Sequence, residues 1–338
     1  MSVQGAQRFR KLQVGVQSSF SSNVAATKVL PLRAAPEINP NLEDPDVDTG
    51  SLVPILAPFA GAMELTDTWT GKLDYNTAPW LWALLLKGGV TPTGGGAAKT
   101  YTIQAASLTS DAFVYASTQW GDDVTTDWIN FGGVIGDTMT IGFDESLGAW
   151  DVDYGTLASR ANFGGPTGGL SVDEDPNWVY GADTEFFLDT VVGSIGTTKW
   201  TNAIHGIQVE IAANNDPKRF ANGSNTRFQL ANYGRGQREI TVTVQTAKTT
   251  ETIAERQRID DGPPALRFME IRTTSPDIIT GSTPYSQSIR MPVRLVNATD
   301  EEFGNNNTGY EFTYRGRYNS TLGYAVRVVV VCAETQAF

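Results

Sequence analysis

The sequence predicts an all-β protein built from two similar modules, each carrying one short helix, and three observations lead there. Charged residues are only 18% of the chain while glycines number 34, a balance that suits many short strands joined by turns. Apolar residues alternate with polar ones in one segment after another. Met139, Ile141 and Phe143 alternate, and Trp150, Val152 and Tyr154 alternate against Asp151 and Asp153, the period of strands with one buried face. At 338 residues the chain is long enough for a large single domain or two ordinary ones with a proper core, and two are expected.

In chain order, Met1 to Ala35 carries Arg8, Arg10, Lys11, Lys28 and Arg33 but no acid. Residues 1–35 are therefore expected to form a basic N-terminal arm; the amphipathic pattern of a transit peptide is poor here. Pro36 to Pro58 follows with five prolines and clustered acids, which exclude a continuous helix or a central strand. It reads as a long acidic loop opening a first module over residues 36–165. In MELTDTWTGKLDY, Leu65 and Trp69 share one face of a strand. A helix then starts with Thr77 as cap and Pro79 in its first turn, and Trp80, Leu81, Leu84 and Leu85 keep helical spacing until Gly88 and Gly89 stop it. So short an apolar helix needs a sheet to lie on. KTYTI, AFVYASTQW and the hairpin TMTIGF to AWDVDY complete the module.

Gly164 to Gly169 with the acidic DEDP beyond is the best boundary, and a second module spans residues 166–338. There Ala203, His205, Ile207, Val209 and Ile211 share a strand face, and a helix over TETIAERQRIDD is stopped by Gly262 and Pro263. MELTDTWTG, helix, KTYTI, AFVYASTQW, TMTIGF and AWDVDY are answered by REITVTVQT, helix, ALRFMEIRTT, SIRMPVRLVN, YEFTYRGRY and YAVRVVVV. The order repeats although the residues do not, which points to duplication.

The strand beginning G-x-x-E at Gly61, the helix that opens at a proline and closes at glycine, the Gly-rich loop and the KTYTI strand resemble the tail tube (major tail) proteins of long-tailed bacteriophages. The resemblance runs from Gly61 to about Arg160 and more loosely beyond. It implies a tail-tube-like β-sandwich or barrel module. In that family each module lends a four-stranded sheet to a closed barrel, six modules make a ring and rings stack into a hollow tail. Two modules per chain then imply homotrimeric rings with pseudo-sixfold symmetry, with a homohexamer as the alternative.

Catalysis finds little support. His205 is the only histidine and lies on an apolar strand face, where a buried structural role is expected; it leaves a triad or His-rich metal site little to work with. The single cysteine, Cys332, lies in YAVRVVVVCA and reads as a core thiol, so no intrachain disulfide exists. GGGAAKT has Ala98 where a phosphate loop needs glycine, and it follows a helix instead of opening one. Asp44, Asp46 and Asp48 mimic a calcium loop, but Thr49 and Ile55 stand where glycine and a bidentate glutamate belong. Asp151 and Asp153 sit on one solvated strand face, so they do not face each other across a cleft as glycosidase carboxylates do. Neither cofactor nor metal is expected, and the chain is read as no enzyme.

A net charge of −12 opposes adhesion to phosphate backbones and suits a conduit through which DNA slides. No apolar run reaches a membrane-spanning length and no signal-like block opens the chain, so a protein made in the host cytoplasm and built into the virion tail is expected. Free sheet edges invite pairing with other copies. Asp151, Asp153, Thr241 and Thr243, opposite the apolar faces, are the lumen-facing candidates. Phe9 and Arg10 of the basic arm and Asp44, Asp46 and Asp48 of the acidic loop are candidate ring-stacking contacts. The implied partners are further copies of the chain, tail tip and tail terminator proteins, and the tape measure protein and DNA in the lumen. The alternative is a carbohydrate-binding or adhesive β-sandwich that displays some of the eight tryptophans.

Overall fold

The computed structural model describes residues 10–22, 24–45, 58–105, 111–122, 127–163, 166–219, 231–260, 262–303 and 307–338. The first half of the chain forms β1 (Arg10–Gln17), β2 (Lys28–Leu30), β3 (Leu32–Asn39), β4 (Leu42–Glu43), β5 (Phe59–Ala60) and β6 (Glu64–Lys72). Then come α1 (Ala78–Leu86), β7 (Lys99–Gln104), β8 (Tyr115–Asp122), β9 (Trp128–Phe143), β10 (Asp151–Ala158) and β11 (Arg160–Phe163). The second half forms β12 (Thr184–Asp189), β13 (Ile204–Ala212), β14 (Asp216–Lys218), β15 (Asn232–Gly234) and β16 (Glu239–Ala247). It ends with α2 (Thr250–Asp260), β17 (Arg267–Thr280), β18 (Thr283–Phe303), β19 (Asn307–Gly316) and β20 (Arg327–Cys332). The fold is all-β with two short helices, and none of the described helices is long and apolar enough to cross a membrane.

Every strand pairing is antiparallel, and one path runs β12-β17-β18-β19-β16-β13-β9-β10-β6-β3. The long strands β9 and β18 each serve two sets of neighbours. Residues 128–134 of β9 pair with β8 and β11, while residues 135–143 pair with β10 and β13. In β18, residues 283–293 pair with β17 and β20, and residues 293–303 pair with β19. Between the two sets lies one core: Leu12 and Val14 of β1, Ala116 of β8, every residue of α1 but Pro79, and the inward residues of β6, β9, β10, β13 and β16 pack in a single cluster.

The two halves repeat each other strand by strand. β1, β3, β6, α1, β8, β9, β10 and β11 correspond to β12, β13, β16, α2, β17, β18, β19 and β20, with equivalent pairings throughout. The β9·β10 ladder skips Asp137 and the β18·β19 ladder skips Val296, so one bulge fixes the alignment of both halves. The short hairpins β4·β5 and β14·β15 then fall in the same register, Glu43 opposite Phe59 and Asp216 opposite Gly234. Asn41 and Asn214 occupy matching corners at φ 44 and 51, and their side-chain amides donate to Ala62 O and Gln237 O. The correspondence is shifted by one strand from the expected one. KTYTI is β7, which belongs to an insertion after α1 and pairs with β20 of the other half.

Other expectations are also corrected. Residues 10–22 and 24–35 are no arm: β1 pairs along its whole length with β8, and Leu12 and Val14 are fully buried. Lys11, Arg10 and Arg33 flank that apolar alternation, and their charge obscured it. Pro36 to Asn39 are no loop but the end of β3, where a proline is tolerated because β3 borders the sheet. Thr77 makes no side-chain cap; Asp74 Oδ2 instead accepts from Thr77 N and Thr77 Oγ1, both at 3.1 Å. His205 is half-buried, because the β13·β16 ladder skips it between Ile204 and Gly206 and turns it off the shared face. Cys332 is buried, which pushes its thiol up to about 12.

Candidate functional site: a polar sheet face and two open edges

Eight strands, in the order β3-β6-β10-β9-β13-β16-β19-β18, form a continuous sheet whose two faces differ in chemistry. On one face Leu65, Trp69, Val152, Tyr154, Met139, Ile141, Val209, Val242, Val244 and Phe312 are buried. Trp69 stacks on Tyr154 at 5.2 Å, and Tyr154 Oη donates to Leu81 O of α1 at 3.0 Å, so the helix is tied down on this side. Gly136 makes the approach feasible: a Cβ there would lie 1.9 Å from Tyr154 Oη. The helix C-terminus is closed from the second half, where Arg235 donates to Leu85 O at 3.2 Å and Arg238 to Leu86 O at 2.9 Å.

On the opposite face the same strands present mostly threonine, glutamine and acid, together with Arg33, Lys72 and Arg315. Thr68, Thr70, Thr138, Gln208 and Glu210 are exposed, and Thr140, Gln245, Glu311 and Thr313 are half-buried. Asp151 and Asp153 lie here, exposed, and Thr241 and Thr243 lie here, half-buried. Asp151, Asp153 and Thr243 line one trough of about 330 Å³ with Thr140, Gln208, Gln245 and Glu311. Thr241 is farther along, opposite Glu210 on one side and Arg315 on the other. Lys72 Nζ pairs with Asp151 Oδ1 at 2.6 Å, both side chains being largely in solvent, a contact worth little by itself.

The remaining candidates are not brought together. Arg10 is exposed at the start of β1 with its guanidinium 6.0 Å from the Trp120 ring. Asp44 is exposed just beyond β4, and neither hydrogen bond nor ion pair joins Arg10 to Asp44 among the described residues. Phe9, Asp46 and Asp48 lie outside the described residues. Seven of the eight tryptophans are buried and Trp178 is half-buried.

The sheet ends in two open edges that strand periodicity could not locate. At one end β3 pairs only with β6, and at the other residues 294–303 of β18 pair only with β19 among the described residues. Between these ends the two halves meet where β13 pairs with β9, Ile207 opposite Phe143 through Ala212 opposite Thr138. By the internal repeat, β3 is the counterpart of β13 and β18 is the counterpart of β9. Each end of the chain thus presents the half-joint that its middle has already made.

One buried carboxyl lies beneath the β3 edge. Asp67 accepts from Trp69 Nε1 at 2.7 Å and Ala35 N at 2.9 Å, and burial, only partly offset by these donors, raises its pKa to about 7. Its counterpart in the second half is Val242. No protein-family model matches the chain, and no curated protein matches it.

Proposed function

We propose that the chain is the subunit of a hollow tube, the tail tube of a long-tailed phage, assembled from rings of identical copies. The observation that carries this reading is the repeated joint. The β9·β13 ladder within the chain has its two halves displayed again, unpaired, as β18 at one end of the sheet and β3 at the other. A contact that joins one patch to a different patch propagates head to tail, and it makes a closed ring when its rotation divides the circle. Ring closure also pairs these two open edges with each other.

The alignment through the bulge converts Ile207 opposite Phe143 into Ala34 opposite Glu302 of the next copy, and Gln208 opposite Gly142 into Ala35 opposite Glu301. Two modules per chain make three copies the expected ring, with six modules around the lumen. The polar face then turns inward and brings Asp151, Asp153, Thr241 and Thr243 toward the passage. A lining in which threonine, glutamine and acid outnumber Arg33, Lys72 and Arg315 holds phosphate backbones weakly, which suits DNA that must slide. The function so read needs neither a cofactor nor a catalytic group. Its partners are further copies, the proteins that begin and end a tail, the tape measure protein and passing DNA, and its place is the virion. A sugar-binding sandwich would need exposed tryptophan faces, whereas seven of the eight are occupied in the core.

Negative-stain microscopy of the purified protein tests the reading, with rings or hollow rods as the expected result. An Ala35→Cys, Glu301→Cys variant should form disulfide-linked trimers in those assemblies, since residues opposite each other on neighbouring strands bring Cβ atoms about 4.5–5.5 Å apart. A protein that stays monomeric at all concentrations overturns it.

A further inference from the structure

The internal repeat reaches beyond the strands to the hairpins, and there it assigns partners to side chains that the isolated chain leaves bare. Within the chain, the β14·β15 hairpin folds back on the rim of the first half. Asn215 N donates to Asp137 Oδ1 at 2.8 Å, Asn215 Nδ2 donates to Gly136 O at 2.9 Å, and Pro217 lines a cavity of about 220 Å³ with Leu157. Leu157 stands opposite Ile135 in the β9·β10 ladder. This small rim of apolar residues is thus covered by its own chain.

The same alignment places Leu42 where Asn215 stands, Val296 where Asp137 stands, Asp44 where Pro217 stands, and the cross-strand pair Arg294 and Arg315 where Ile135 and Leu157 stand. The chemistry changes at every one of these positions, and it changes in matched pairs. The polar contact of Asn215 with Asp137 becomes two apolar side chains, Leu42 at 60% exposure and Val296 at 48%. The pair Pro217 and Leu157, which line one cavity, becomes an acid and a base. Arg294 and Arg315 are exposed, lie directly opposite each other, and have no ion-pair partner among the described residues. Like charges so placed repel, so the rim favours an incoming anion.

We infer that the β4·β5 hairpin of one copy docks on the β18·β19 rim of the next, with Leu42 packed on Val296 and Asp44 set against Arg294 and Arg315. The occupant is a second copy of this chain, and the proposal rests on the ring reading above. It gives Asp44 a partner within the ring, on the neighbouring sheet, in place of the N-terminal segment of a stacked ring. It also accounts for two large apolar side chains that would otherwise remain in water.

Charge reversal tests the contact, because Asp44 and Arg315 are exposed in the single chain and their replacement leaves its core untouched. Asp44→Arg alone and Arg315→Asp alone should each raise the protein concentration needed for assembly at least tenfold, measured by sedimentation with thermal unfolding of the monomer as control. The double variant should return to within about twofold of the wild type. A Leu42→Cys, Val296→Cys variant should cross-link between copies on oxidation, and either single cysteine variant should not.

Wild-type rings that form with the Ala35–Glu301 cross-link, but are indifferent to both reversals and show no 42–296 cross-link, overturn the hairpin contact alone. A double variant no better than the worse single one does the same. Absence of any wild-type assembly overturns the ring reading and this contact with it.

Discussion

The two halves share a topology but treat their helices differently. Every residue of α1 is buried, whereas in α2 only Thr252 and Glu255 are. The second half supplies the cover for α1: Trp82 Nε1 donates to Gln287 Oε1 at 3.3 Å, Trp80 Nε1 to Glu334 Oε2 at 3.0 Å, and the Trp80 ring meets Phe338 at 5.1 Å. Around α2 the outer side faces solvent, and Ile253 is 41% exposed. A helix enclosed on all sides is apolar all round, and one covered on a single side keeps charge on the other. Position in the assembly of modules, more than ancestry, therefore decides helix composition. The rims differ in the same sense, since Ile135 is buried within the chain while Arg294 and Arg315 are exposed.

The largest expected break in this comparison comes from the helices themselves. Trp82→Ala should cost about 3–5 kcal/mol in denaturant unfolding, the range for emptying a large buried site, while Ile253→Ala should stay within about 0.5 kcal/mol. Equal losses would remove the distinction between an enclosed and a half-covered helix.

A second contrast is Asp67 against Val242. The folded chain holds the Asp67 proton more tightly than the unfolded chain does, with a pKa of about 7. Its contribution to stability is thus fully present below about pH 4 and is lost as pH rises through about 7. The stability difference between wild type and Asp67→Asn, followed by thermal or urea unfolding, should change across that window by at most roughly 1.4 kcal/mol per pH unit. A flat difference would show that Asp67 keeps an ordinary carboxyl pKa. The β3 edge lies over this group, because Ala35 N donates to it.

The smallest contrast is between the two asparagine corners. Asn214→Ala should cost about 1–2 kcal/mol, since alanine resists a positive φ and the hairpin beyond it is anchored by Tyr233 Oη donating to Gly133 O at 3.0 Å. Asn41→Ala should change the monomer by less than about 0.5 kcal/mol, because among the described residues β4 and β5 pair only with each other and the strain can relax there, yet it should slow assembly. Thermal unfolding and light scattering read the two effects separately.

Much of the fold was legible because its signals are local. The strict alternation through Val152 and Tyr154 gave strand and faces, and Pro79 with the leucines after Trp80 gave α1 to within a residue. Asp151, Asp153, Thr241 and Thr243 were assigned to the polar face from the same alternation, and they lie on it. Where a local pattern had a competing explanation it misled. The basic residues around Leu12 and Val14 looked like an arm, and the prolines hid the part of β3 that runs to Asn39. Thr77 is the conventional cap, but Asp74 takes up its hydroxyl and its own amide instead. His205 followed the alternation on paper, and a single bulge displaced it. Residues such as Leu42, Val296, Arg294 and Arg315 carried no signal at all, since each acquires meaning only from its counterpart in the other half.

By itself, the sequence determined the class of the fold, the identity of the buried faces and the acidic, weakly charged character of the protein, because these depend on composition and on spacing along a few neighbouring residues. Only the tertiary structure decided that β9 joins β13, that β7 crosses to β20, and that the sheet ends on the two halves of its own central joint. Those pairings link segments far apart in a chain whose halves have diverged in sequence. Backbone hydrogen bonding, which sets them, is the same for every residue type but proline and so leaves little trace in the order of side chains.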